Sequence, residues 1–149
     1  MASTYFKIDY KHTDSHIFSY RSGLLVYEER FTDGMLIPSG YNASGYPLDT
    51  LQNIPTRLDS SDFYEPSVFG IELDGQSVDF RLKFVSFIIE EDENKSEGIL
   101  TLKSEIKPVK IRIHTVIDGT QMFTRWFEIE NLSENPMNLS RLELLSGGL

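Results

Sequence analysis

Residues 109–131 carry the clearest alternation of hydrophobic and polar positions in the chain. One face of the first half takes five apolar or β-branched side chains: Val109, Ile111, Ile113, Thr115 and Ile117. The other face takes polar side chains: Lys110, Arg112, His114 and Asp118. A period of two residues predicts a strand with one buried and one wet face. The Asp118-Gly119 pair, followed by an aromatic and β-branched stretch, predicts a hairpin because glycine takes positive φ in tight turns.

The second strand of this predicted hairpin places an arginine on its apolar face. Phe123, Phe127 and Ile129 share the buried face by parity, and Arg125 falls on the same face. A buried guanidinium needs a carboxylate or carbonyl partner, because an unpaired buried charge is costly. We interpret Arg125 as one half of a structural ion pair inside a sandwich.

Shorter stretches with strand patterns lie on either side of the hairpin. They are residues 5–10, 24–31, 67–73, 77–90, 99–106 and 137–145. Within residues 77–90 the pattern becomes apolar on both faces, which predicts a bulge near Ser86. About nine strands without a helical pattern predict an all-β antiparallel sandwich, and 149 residues suit a single domain over 1–149.

Residues 32–66 differ in composition from the strand segments, with four prolines, three glycines and scattered aromatic side chains. This composition predicts a long irregular loop. Ordering a loop of that length costs backbone entropy, so we expect it to serve a function or an interaction.

Composition excludes several classes of function. The net charge of −9 opposes nucleic-acid phosphates and anionic membranes, so neither is an expected partner. The chain has no cysteine, which excludes disulfides and thiolate chemistry. We expect a cytoplasmic protein, because the first residues show no apolar export signal.

Recognisable catalytic motifs are absent from the sequence, and we expect neither a cofactor nor a metal site. Three histidines occur, and His12 and His16 are four residues apart in a region with strand character, where the helical spacing of metal ligands does not apply. His114 lies on the predicted wet face of the hairpin. The sequence therefore offers no self-sufficient active site.

Two segments carry a family resemblance. Residues 51–84 read L-Q-N-I-P-T-R-L-D-S-S-D-F-Y-E-P-S-V-F-G-I-E-L-D-G-Q-S-V-D-F-R-L-K-F. Residues 117–131 read I-D-G-T-Q-M-F-T-R-W-F-E-I-E-N, with L-x-x-L-x-L-L-S beyond the next turn. Both resemble glycoside hydrolase family 36, the α-galactosidases. The first is similar to that family's E-Y-P-x-x-G-x-x-D-F-R-x-P-A, extended strand and D-G-S turn, and the second to its strand pair ending in R-x-x-x-I-x-N.

The chain departs from this pattern at three places. Asn53 stands where the family has a glutamate, and Tyr64 stands where it has the arginine of D-F-R. The intervening glycine is missing, and the gap is one residue longer. Substrate contacts made from those positions would differ.

The resemblance implies that the chain is the early, incomplete part of an N-terminal β-supersandwich. In the family this sandwich precedes a (β/α)₈ barrel that holds both catalytic aspartates, and the barrel motifs are absent here. The longer protein would be a retaining α-galactosidase, in which one carboxylate attacks the sugar and another protonates the leaving oxygen. This chain would then hold no catalytic residue.

The resemblance also implies a substrate-binding set and a homo-oligomer. In the family the loop lies near a catalytic pocket, often that of a neighbouring subunit, and the aspartate of D-F-R meets the sugar. The matching residues are Asp62, Phe63 and Tyr64. Asp62 has an equally simple alternative role, which is to cap the turn in D-S-S-D.

Two other functions remain open from the sequence. The chain could be a free-standing sugar-binding module, since pyranose rings stack on flat aromatic faces. The candidates are Tyr41, Tyr46, Phe63, Tyr64 and Trp126. It could also be a mutarotase-like sugar enzyme, which would need histidines and glutamates converging on one concave face.

Overall fold

A computed structural model describes residues 5–45 and 67–145 of the chain. This part folds into eleven strands in three antiparallel sheets. The first sheet contains β1 (Phe6–His12), β2 (His16–Ser22), β3 (Leu25–Thr32) and β4 (Met35–Asn42) in that order. The second contains β10 (Thr124–Asn131), β9 (Val109–Ile117), β8 (Ser96–Ser104) and β7 (Leu82–Glu91). The third contains β11 (Leu139–Glu143), β5 (Gly70–Leu73) and β6 (Gln76–Ser77).

The architecture confirms the predicted all-β antiparallel sandwich. A single hydrophobic core lies between the first two sheets, and β5 and its flanks add Val68, Phe69, Ile71, Leu73 and Val78 to it. Within the described ranges, no helix is long and apolar enough to span a bilayer.

The central hairpin forms, but its connection is the six-residue segment 118–123 rather than a tight turn at Asp118-Gly119. β9 and β10 pair in register from Thr124 opposite Val116 to Asn131 opposite Val109. The five predicted inward positions of β9 are all buried, whereas Phe123, Phe127 and Ile129 are only partly buried against the core. The partial burial follows from the position of β10, which is an edge strand within the described part of the second sheet.

The prediction of an irregular loop over residues 32–66 is wrong for its first part, because Met35–Asn42 form β4. Asp33 and Gly34 both have positive φ, of 51° and 76°, and form a tight turn into β4. Pro38 lies inside β4, which is compatible with a strand because β4 is the edge strand of the first sheet in the described part of the chain. Residues 46–66 lie outside the described part.

Strand β2 is a second element that the sequence pattern missed. Its apolar residues Ile17, Phe18 and Tyr20 do not alternate strictly, and the flanking polar segments suggested only turns. In the structure the chain turns at residues 13–15 and 23–24, and β2 between these turns pairs with both β1 and β3.

The predicted strand over residues 77–90 is two strands. It is interrupted at residues 78–81, where Arg81 has a φ of 54° and the chain passes from the third sheet to the second. The amide of Leu82 donates a hydrogen bond of 2.9 Å to the carbonyl of Gly34, which fixes the start of β7. The predicted bulge is confirmed, because the register with β8 shifts between Phe84 and Ser86.

Strands that follow one another through short turns are expected to pair as consecutive antiparallel hairpins, and we expect this from Ser67 onward. This holds for β5 with β6 and for β7 to β10, but not for the last strand. β11 pairs with β5, with Leu142 opposite Ile71 and Leu139 opposite Leu73. The long-range pairing is held at the turn by Asp74, whose amide donates to the carbonyl of Asn138 at 2.8 Å.

Candidate functional site

A buried ion pair links the first two sheets. The guanidinium of Arg125 on β10 donates to both carboxylate oxygens of Glu29 on β3, with Nη2 2.6 Å from Oε1 and Nη1 2.9 Å from Oε2. The Glu29 side chain is fully buried, and that of Arg125 is 11% exposed. The predicted partner of Arg125 is therefore a carboxylate from the opposing sheet.

Further hydrogen bonds complete the surroundings of this pair. Tyr27 donates to Oε2 of Glu29 at 2.9 Å, and Nε of Arg125 donates to Oγ1 of Thr115 at 2.9 Å. Burial lowers the pKa of the Arg125 guanidinium, but the Glu29 carboxylate reverses this effect and leaves that pKa raised. Burial and the Glu29 charge raise the pKa of the Tyr20 and Tyr27 hydroxyls. The cluster is a bidentate ion pair supported by neighbouring hydroxyl groups, which suits it to holding the sheets together.

The three fixed residues of R-x-x-x-I-x-N each have a structural role. Arg125 makes the inter-sheet ion pair, and Ile129 packs against the core. Asn131 ends β10, where its Oδ1 accepts from the amide of Ser133 at 2.9 Å and its Nδ2 donates to the carbonyl of Asn135 at 2.6 Å. The motif therefore defines the end of the hairpin and its attachment to the opposite sheet.

A second polar cluster lies on the outer face of the second sheet. His114 on β9 is directly opposite Trp126 on β10, and their rings stack with centroids 4.7 Å apart and planes 6° apart. The sequence predicted an exposed His114, and this is wrong: only 8% of the residue is exposed, because the indole covers one side of the ring. Trp126 itself remains 40% exposed.

Carboxylates flank the His114 ring on both nitrogen atoms. Nδ1 lies 2.8 Å from Oε1 of Glu97 on β8 and forms a hydrogen bond with it. Nε2 lies 3.2 Å from Oε1 of Glu128, but it has no hydrogen-bond partner of acceptable geometry among the described residues. Arg112 is close to Glu128 at 3.6 Å and to Glu130 at 3.2 Å. The outer face thus combines an aromatic ring with hydrogen-bond donors and acceptors.

The other two histidines lie on the first sheet. His12 and His16 face each other across the turn between β1 and β2, with ring centroids 3.9 Å apart, and His16 stacks on Phe84 at 3.8 Å. The Tyr10 hydroxyl and Nδ1 of His16 lie 2.5 Å apart in a hydrogen bond. Burial and the neighbouring His12 lower the pKa of His16.

The three histidines do not share one face with glutamates, as the mutarotase-like alternative requires. His12 and His16 belong to an aromatic stack, whereas His114 bonds directly to Glu97 on the other sheet. Within residues 5–45 and 67–145, no group of three or more histidines, aspartates and glutamates is arranged to hold a metal ion.

The predicted substrate-binding residues Asp62, Phe63 and Tyr64 lie outside the described residues, as do Tyr46 and Asn53. Of the predicted sugar platforms, Tyr41 and Trp126 are described, and both are exposed on different sheets. The partnership of His114 with Glu97 escaped sequence reasoning, since the hairpin pattern does not reveal the register of the neighbouring strand β8.

Comparisons with models of protein families, with curated proteins and with solved structures give no match to this chain. The resemblance to glycoside hydrolase family 36 therefore depends on the quoted residues alone.

Proposed function

We propose that this chain is the non-catalytic β-sandwich region of a retaining α-galactosidase, which hydrolyses terminal α-galactosides. The catalytic aspartates would belong to a barrel domain of the same longer chain. The sandwich would assist assembly and help to form the substrate site, with α-galactoside as the ligand of the whole protein. A homo-oligomeric, cytoplasmic enzyme is part of this proposal.

The observation that carries the proposal is the use of the R-x-x-x-I-x-N residues. Arg125 links the two sheets through Glu29, Ile129 packs on the core, and Asn131 closes the following turn. All three roles are structural, and none of these side chains is left in a position to take part in a reaction. This supports a non-catalytic role for the region that resembles the glycosidase.

The third sheet offers a surface for the proposed barrel contact. Leu139 and Leu142 on β11 lie opposite the buried Leu73 and Ile71, so they point to the same side of the sheet. They are nevertheless 50% and 43% exposed. The opposite side of β11 is ionic, with Arg141 paired to Glu72 and Glu143. A further domain packed on the leucine side would remove this apolar surface from water.

The reading frame that contains the chain tests this proposal. A frame that continues beyond Leu149 into a (β/α)₈ barrel with two aspartates at strand ends is the expected result. A stop codon shortly after Leu149 would contradict it and would favour a free-standing sugar-binding module.

The sugar-binding module is the second candidate, and one observation favours it. Trp126 has one indole face on His114 and is 40% exposed at the edge of the described sheet. An aromatic side chain in that position is available to a ligand without any movement of the core.

A further inference from the structure

We propose that Trp126, with the charged groups around His114, forms a pyranoside-binding site on the outer face of β8, β9 and β10. The site would bind the ring of an α-galactoside. It rests on the proposed function for the choice of sugar, and its geometry is independent of that choice.

The position of Trp126 leaves one indole face open. His114 stacks on the face that points toward β9, at a centroid distance of 4.7 Å. The other face points past β10, which has no neighbouring strand on that side in the described part of the chain. Pyranose rings present C–H groups that pack on such a flat aromatic face.

The ring of His114 restricts the orientation of the Trp126 indole. Its Nδ1 is bonded to Glu97 at 2.8 Å, so the imidazole is held in one orientation. The parallel stacking, with planes 6° apart, then restricts the Trp126 side chain before any ligand arrives. A platform that is ordered in advance loses less entropy on binding. His114 is therefore a positioning residue.

Polar groups of both kinds lie beside the platform. Glu128 is two residues along β10 from Trp126 and shares the outer face, since it lies opposite Arg112. Its carboxylate accepts hydrogen bonds, while the guanidinium of Arg112, 3.6 Å from it, donates them. Sugar hydroxyls donate and accept, so this mixture suits them.

The same arrangement disfavours a simple cation or a nucleic acid as the ligand. The carboxylates of Glu128 and Glu97 already neighbour Arg112 or His114, which reduces their attraction for a free cation. The net charge of −9 opposes a phosphate backbone. A neutral pyranoside matches both the flat ring and the paired charges.

The lone tryptophan makes the proposal directly measurable. Trp126 is the only tryptophan in the chain, so its fluorescence reports on this site alone. Titration with methyl α-galactoside or the disaccharide melibiose should give a saturable change in emission, with weak affinity because one ring supplies most of the contact. Methyl β-glucoside and a polyol such as sorbitol serve as comparison ligands.

Variants separate this site from other surfaces. Ligand-observed NMR should show binding weakened at least tenfold in Trp126→Ala, partly retained in Trp126→Phe and weakened in Glu128→Gln. Phe80→Ala is the matched control, since Phe80 is an aromatic residue of similar exposure (39%) in the segment between β6 and β7, and it should bind like the unmodified chain. Circular dichroism melts check that each variant is folded.

The outcomes distinguish the site from the proposed function. Galactoside binding that depends on Trp126 supports both proposals. Binding of β-glucoside at Trp126 without binding of α-galactosides supports the site and contradicts the choice of sugar that was taken from the α-galactosidase proposal. Galactoside binding that Trp126→Ala leaves unchanged overturns the site alone. Absence of any saturable sugar binding, up to the solubility limit of the ligands, also overturns the site.

Discussion

Glu29 and Arg125 lie 96 residues apart in the chain and form a bidentate ion pair between opposing sheets. Their geometry is favourable, because the planar guanidinium matches both carboxylate oxygens. Tyr27 and Thr115 satisfy further hydrogen-bonding positions of the pair. The relative placement of β3 and β10 is thus specified by side chains as well as by apolar contact.

Replacing Arg125 by Met should destabilise the chain strongly. The change leaves the fully buried Glu29 carboxylate without its cation, and removing one partner of a buried pair costs about 3–5 kcal/mol. Chemical denaturation of the single variant gives the change in the free energy of unfolding.

The double variant Glu29→Gln with Arg125→Met is the control for this prediction. It removes both charges together, so it should be more stable than Arg125→Met alone. If Arg125→Met lowers the free energy of unfolding by less than about 1 kcal/mol, the ordinary cost of a substitution, the role assigned to the pair is contradicted.

Phe127→Ala tests the burial of the edge strand. Phe127 packs edge to face against Phe69, with ring centroids 5.2 Å apart, but it is only partly buried. We expect a loss between about 1 kcal/mol, typical of any substitution, and the 3–5 kcal/mol of a fully buried phenylalanine. Phe69→Ala is the comparison, since Phe69 is fully buried and should cost the larger amount. Equal losses in denaturant melts would mean that β10 is not an edge strand.

Gly23→Ala tests the contact between two turns. Gly23 has a φ of 60°, and a Cβ there would lie 2.9 Å from the carbonyl oxygen of Gly119 in the turn after β9. Ser22 supports the same contact, since the amide of Gly119 donates to its Oγ at 3.0 Å. The substitution should therefore cost more than the roughly 1–2 kcal/mol of a left-handed backbone alone.

Gly75→Ala is the matched control for the turn contact. Gly75 has a φ of 78°, but a Cβ there meets no atom within 4 Å. It should show only the backbone cost. Equal thermal destabilisation of the two variants would show that the turns at Gly23 and Gly119 are not in close contact.

The stability of the chain should fall as the pH drops below about 6.5. Burial, together with the charge of His12, lowers the pKa of His16 in the folded chain from its ordinary value of 6.5. Between these two pKa values the unfolded chain binds a proton that the folded chain does not, so the free energy of unfolding decreases with falling pH.

Variants at the two histidines isolate this effect from that of the carboxylates. His16→Phe should flatten the dependence measured by denaturant melts from pH 7.5 downward, and His12→Gln should flatten it in part. An unchanged slope in His16→Phe would exclude His16 as its source.

The sequence predicted the central hairpin and the need of Arg125 for a partner, because both follow from a strict period of two residues. It did not identify Glu29 as the partner. Glu28 and Glu29 are consecutive and both buried, and a register shift in the pairing with β4 occurs between them. A local pattern contains no information on such a shift.

The missed elements have a common physical origin, which is tertiary pairing that overrides local composition. The composition of β4, which includes Pro38, is typical of a loop. The turn at Asp33-Gly34 nevertheless brings β4 into antiparallel pairing with β3. The sequence predicts the strand over residues 137–145 but not its pairing with β5, because that pairing crosses more than sixty residues of chain and has no neighbouring hairpin signal. The same limit hid the outer-face cluster, where Glu97 reaches His114 from a different hairpin.

The most direct test of the proposed function is the hydrolysis of an aryl α-galactoside, measured in one assay for the 149-residue chain and for the longer protein encoded by its reading frame. The longer protein should hydrolyse the substrate, and the chain alone should show no activity above background. A retaining mechanism needs two carboxylates about 5 Å apart around the scissile bond, and the proposal places both in the barrel. Turnover by the chain alone that one local carboxylate substitution abolishes, or a longer protein without activity on α-galactosides, would contradict the account.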